Sequence, residues 1–135
     1  MASTRLDGLD PRFKPLAMEA IARLTEYGIA VKIISTLRTL KEQQEAVARG
    51  VSKTLNSKHL PQPPNDLSLA IDLCPYSIFD LHGPDKLQWD SKDPVWIYFG
   101  RVCEGLGLRW GGRFGESKPG EGDGWDSGHF ELVLK

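Results

Sequence analysis

Leu67-Ser68-Leu69-Ala70-Ile71-Asp72-Leu73 is an apolar run that closes on a carboxylate, and it reads as a β-strand carrying Asp72. Prolines 61, 63 and 64 forbid regular structure just before it, so the stretch from Val51 to Pro64 reads as irregular. A second run lies at the far end of the chain, Trp125-Asp126-Ser127-Gly128-His129-Phe130-Glu131-Leu132. Asp-Ser-Gly is good turn sequence. The alternation that follows predicts a strand from His129 to Leu134.

Working outward, Asp10-Pro11 opens a helix, with Asp10 as its cap and Pro11 in the first turn. Leu16, Ala20, Leu24 and Tyr27 repeat at helical spacing, beside Ala17 and Ile21, and Gly28 stops the helix. Ala30 to Ile34 is β-branched and apolar, a strand. Thr39 caps a second helix, Leu40 to Arg49, which ends at Gly50. Pro75 to Pro94 reads as a long polar loop. Pro94 to Leu106 is a third helix with Trp96, Phe99, Val102 and Cys103 on one stripe. Leu108 to Trp110 is a short strand, and the six glycines from Gly111 to Gly124 mark a flexible or tightly turned segment. The order α-β-α-β-α-β with short strands predicts an α+β domain, a small, mainly antiparallel sheet flanked by about three helices.

At 135 residues the chain is expected to be one domain, 1–135, able to bury its core without staples. A formal net charge of -1 gives no strong field for nucleic acid or an anionic membrane, so neither is an expected partner. No run of 18 apolar residues is present and the start, Met1 to Pro11, has no apolar leader segment, so synthesis in a cytoplasm without a signal peptide is expected. Cys74 and Cys103 match no CxxC spacing and read as reduced, small buried hydrophobes, with Cys74 close enough to Asp72 to line a site wall.

His59, Asp72 and His129 offer two imidazoles and a carboxylate, a donor set that holds zinc and leaves a fourth position open for water. Asp126, a second carboxylate beside that water, could serve as general base. Each residue also has a plain reading: His59 on the surface, His129 a core histidine bonded to a carbonyl, Asp126 capping a turn, Arg38 a solvated residue at a helix start. His82 reads as structural or exposed, and the tryptophans as core, Trp125 being the candidate exception beside Asp126.

The same residues carry a resemblance. Ser57-Lys58-His59 and Ala70-Ile71-Asp72-Leu73-Cys74-Pro75 match the two ends of Ser-x-His followed by Gly-x-Ala-x-Asp-Leu-x-Pro. Asp126 with His129-Phe130-Glu131 matches an acid three residues before a His-Phe-Glu. Ser35, Arg38, Thr39, Gln43 and Gln44 match Ser-x-x-Arg-Thr-x-x-x-Gln-Gln. In this order, over roughly residues 11 to 135, these motifs resemble the VanY-like family of zinc peptidases, which includes D-alanyl-D-alanine carboxypeptidases and the L-alanyl-D-glutamate endopeptidases that bacteriophages use as endolysins. One departure stands out. The family usually leaves six residues between the first histidine and the aspartate, whereas His59 and Asp72 are separated by twelve and Asp66 has the usual spacing. Asp72 is preferred as ligand because it lies on a strand with the Ala-x-Asp-Leu-x-Pro context, while Asp66 follows a proline-rich loop. Ser68 takes the place of the family's glycine.

The resemblance implies a hedgehog/D,D-peptidase-like fold with the zinc site on the sheet, and Zn2+ held by His59, Asp72 and His129. It implies Asp126 as the base and Arg38 as a planar fork for a substrate carboxylate. The implied partner is a peptidoglycan stem peptide, the implied state a monomer, and the implied place of action the cell wall after holin-type release. The absence of room for a wall-binding module, of a signal peptide, and of a glutamate at position 126 favours an L-alanyl-D-glutamate endopeptidase over a D,D-carboxypeptidase. A non-catalytic zinc or wall-binding module, and a structural protein whose histidines only pack, are the alternatives.

Overall fold

The computed structural model describes residues 3–50, 57–76, 87–90, 92–114 and 126–134. Helix α1 is Lys14–Glu26, strand β1 Val31–Ser35, helix α2 Leu40–Ala48, strand β2 Ala70–Pro75, helix α3 Val95–Gly105, strand β3 Arg109–Trp110 and strand β4 His129–Glu131. Short 3-10 turns at Leu6–Gly8 and Gly111–Arg113 complete the set. The four strands form one antiparallel sheet in the order β1-β2-β4-β3. This is the expected α+β architecture of three helices and a small antiparallel sheet.

Sheet register separates two faces. Ile71 sits opposite Phe130, and Phe130 opposite Trp110. Because side chains alternate along a strand, these residues share the face that packs under α1 and α3. Phe13 at the N-cap of α1, Ala17, Ala20 and Leu24 from α1, and Trp96, Phe99, Val102 and Cys103 from α3 join Leu73, Phe130 and Trp110 in one buried cluster. The rings of Phe99 and Phe130 meet edge to face at 5.9 Å. Burying a side chain such as Phe130 contributes about 1.5–3 kcal/mol. Asp72 opposite His129, and Ala70 opposite Glu131, occupy the other face.

Several expected elements shift. Helix α1 begins at Lys14, because the Asp10 carbonyl accepts from Phe13 and Lys14 and makes residues 10–13 a turn rather than the first helical turn. Its buried stripe runs Phe13-Ala17-Ala20-Leu24, so Tyr27, expected inside, is 56% exposed and meets Tyr98 at 5.2 Å. The Asp10 side chain binds Arg12 through two guanidinium contacts of 2.9 Å instead of capping α1. Strand β2 starts at Ala70 rather than Leu67: Ser68 pairs by a parallel bridge with Leu9, and Leu67 with Gln62. Strand β4 ends at Glu131. Thr39 caps α2 as expected, in a reciprocal box with Glu42, and Gly28 and Gly50 stop α1 and α2 at φ +80° and +74°. Both cysteines are buried and neither forms a disulfide among the described residues. Cys74, on the face of Asp72, donates its thiol to the Gln88 carbonyl at 3.3 Å. Trp96 and Trp110 are core, whereas Trp89 is 54% exposed. His82, Trp125 and most of the glycine-rich segment lie outside the described residues. None of the described helices is long and apolar enough to cross a membrane.

Candidate metal centre

His59 sits in the turn at Ser57–Leu60 and is 1% exposed. Its backbone is tied on two sides. Its carbonyl accepts from Arg38 N at 2.8 Å, and the preceding Lys58 carbonyl accepts from Leu69 N at 3.0 Å. The second bond explains how twelve residues fit between His59 and Asp72. Gln62 and Leu67 pair across a turn, Asp66 N donates back to the Gln62 carbonyl at 2.8 Å, and the excursion closes on itself before the chain enters β2. Asp66, at φ 56°, is the exposed corner of that turn. Ser68, in the family's glycine position, is buried and its hydroxyl donates to Ala70 O at 2.7 Å.

His59 Nδ1 lies 2.6 Å from the Thr36 carbonyl. A carbonyl only accepts, so Nδ1 carries the proton and Nε2 is left with its lone pair. Nε2 is buried, lies 3.1 Å from Asp72 Oδ2, and makes no hydrogen bond. His129 is held in the opposite sense. Its Nε2 meets Glu131 Oε1 at 2.8 Å and its Nδ1 meets Asp72 Oδ1 at 3.0 Å. Both partners are carboxylates, and a neutral imidazole can donate to only one of them. Burial works against a second proton, but the bonds to Asp72 and Glu131 outweigh it and raise the His129 pKa to about 10. For Asp72, burial pushes the pKa up, yet the neighbouring His59 and the bond from His129 hold it well below the usual carboxylate value. The pocket between the three side chains thus favours positive charge.

Among the described residues, His59, Asp72 and His129 form a group whose donor atoms lie within 4.8 Å of one another. Donors about 2.0–2.1 Å from a zinc ion lie within about 4 Å of one another, a small inward movement from this arrangement. The donor set fits a divalent cation in a second respect. Each histidine has its outer nitrogen bonded to a carbonyl or carboxylate, the arrangement that fixes tautomer and ring direction in metal-ligating histidines. The Glu131 tie was not assigned from the sequence, although its two-residue offset from His129 on a strand puts both on one face.

Asp126 stands outside this group, with Oδ2 3.7 Å from His129 Nδ1. Its carbonyl accepts from His129 N at 3.0 Å, which fixes the turn against β4. A side chain at Gly111 would strike the Asp126 carbonyl, and one at Gly128 would strike the Leu73 carbonyl. These glycines let the Asp126 turn lie flat on its neighbours. Burial and the Asp72 carboxylate, opposed by His129 and Arg38, push the Asp126 carboxyl up to about 7.

Arg38 is 9% exposed and points inward. One guanidinium nitrogen donates to Asp72 Oδ2 at 3.0 Å and another to Gln43 Oε1 at 3.0 Å. Phe114 packs 5.7 Å from the His129 ring.

The fold and sequence have relatives. The structure is similar to the L-Ala D-Glu endopeptidase ChiX of Serratia marcescens, with a TM-score of 0.60 at 22% identity, over 95% of this chain and 83% of that one. It is also similar to a variant of the D,D-pentapeptidase VanY from a VanB-type vancomycin-resistance cassette in complex with Zn(II), with a TM-score of 0.52 at 18% identity, over 93% of this chain and 73% of that one. At these identities the likeness is one of fold. The chain shows no match among curated protein sequences. A family model for the phage L-alanyl-D-glutamate peptidase matches residues 1–133, nearly the whole sequence, and the chain belongs to that family.

Proposed function

We propose that this peptidoglycan peptidase is zinc-dependent, cuts the L-alanyl-D-glutamate bond of the stem peptide, and serves as a phage-type endolysin. The observation that carries the reading is the convergence of His59 Nε2, Asp72 and His129 Nδ1, each imidazole tied back through its other nitrogen. His59, Asp72 and His129 would hold the zinc ion, which would supply Lewis acidity and lower the pKa of nearby water. Asp126, beside the ligands but not among them, accepts a proton from the attacking water and passes it to the leaving amine. Arg38 steadies Asp72 and presents its remaining N–H groups to a carboxylate of the seated peptide.

Zinc-loaded protein mixed with peptidoglycan tests the reading through the new termini. Release of D-glutamate amino termini is the expected result; free D-alanine would instead identify a D,D-carboxypeptidase. Asp126→Ala should lower cleavage by at least about 10²-fold, the usual worth of a general base, with zinc still bound. Full activity in that variant would remove Asp126 from the mechanism.

A further inference from the structure

Arg38 is nearly buried, with two of its nitrogens engaged by Asp72 and Gln43. Arg109 is placed differently. It lies on edge strand β3, directly opposite Glu131 on β4. Alternation then sets Arg109 on the face that carries Glu131, His129 and Asp72, while Trp110 turns to the core. Its diagonal neighbour on β4 is His129, a spacing of about 7–8 Å between positions. The Arg109 side chain is 59% exposed. Among the described residues its guanidinium lies over the Phe114 ring at 4.5 Å and reaches Glu131 Oε2 only at 3.9 Å. Phe114 in turn packs on His129. The guanidinium is therefore steadied by a ring on the sheet face that carries His129, and its side chain is largely exposed among the described residues, where a planar fork can pair with a carboxylate.

We propose that Arg109 is the specificity residue that docks the free α-carboxylate of the D-glutamate following the cleaved bond. The proposal rests on the peptidase reading above and deepens it. An arginine fork pairs with a carboxylate through two parallel N–H···O bonds, and an amide in its place offers one oxygen and no charge. The enzyme should thus prefer stem peptides whose D-glutamate is not amidated.

The test uses the zinc-loaded full chain on matched synthetic L-alanyl-D-glutamyl peptides whose D-glutamate α-carboxyl is either free or amidated. Wild type should cleave the free acid with the lower KM. Arg109→Gln should raise KM for the free acid by about tenfold, the worth of one charge-assisted contact. It should leave kcat and zinc content unchanged and have no effect on KM for the amide, so that the preference disappears; Arg109→Lys should restore part of it. Equal effects on both peptides, or a fall in kcat or zinc content, would show that Arg109 only braces Glu131 and would overturn the proposal. An unchanged preference in Arg109→Gln would overturn it while leaving the peptidase reading intact. Failure of the wild type on both peptides would sink the peptidase reading and this inference with it.

Discussion

Strands β2 and β4 carry two faces of opposite character. Ile71, Leu73 and Phe130 on one face are fully buried among α1 and α3. His129 and Glu131 on the other are nearly as buried and Asp72 is half-buried, yet they are polar, and His129 meets both carboxylates at 2.8–3.0 Å. The dry face gains from removing hydrocarbon from water. The polar face loses solvation and recovers it only through its internal bonds and the positive charge it attracts. At successive residues of one strand, the sequence serves stability and chemistry by turns, and substitutions should separate the two.

The largest expected effect lies on the dry face. Phe130→Ala should cost about 3–5 kcal/mol of stability, read from denaturant unfolding. Chain that remains folded should still bind zinc with an unchanged stoichiometry. A loss of zinc from folded protein would mean that the faces are not independent. Glu131→Gln comes next and works in the opposite direction. It keeps the shape but removes the charge that orients His129, so zinc affinity should fall about 10–100-fold with little change in the unfolding midpoint. Competition with a zinc chelator measures the first quantity and thermal melting the second. An unaltered affinity would show that the Glu131 tie is incidental.

The smallest effect concerns neither face. Asp10 is buried, and its bonds to the Arg12 guanidinium, opposed by burial, hold its carboxyl well below the usual value. A depressed folded pKa contributes stability above the unfolded value and loses it as pH falls. Wild type should therefore be more stable than Asp10→Asn at pH 7, and the gap should close as pH drops below about 4. Melting curves across that range check it; a gap that widened on acidification would contradict the ion-pair account.

Much of this was legible in the sequence, because the signals were local. Asp72 inside an apolar run, His129 at the head of an alternating one, and Thr39 three residues before Glu42 announce a strand, a strand and a capped helix from neighbouring residues alone. What was hidden depends on register and on distant backbone. Tyr27 kept the helical period of α1 but lay past its last turn. Leu67 and Ser68 looked like strand, yet they bond to the Gln62 turn and to Gly8 rather than to β4. Nothing in the neighbourhood of Arg38 indicates that Asp72, 34 residues away, accepts from it. Arg109 carries no local signal: its place beside the metal face follows only once it is known to oppose Glu131.

The central claim is that four side chains from distant parts of the chain are built around one divalent cation. Metal analysis of purified chain after equimolar zinc and removal of excess, repeated on His59→Ala, tests it most directly. The account predicts one zinc per wild-type chain and none retained by His59→Ala, with both proteins folded. Folded wild-type protein that holds no zinc, or a His59→Ala protein that holds it as firmly, would contradict the account.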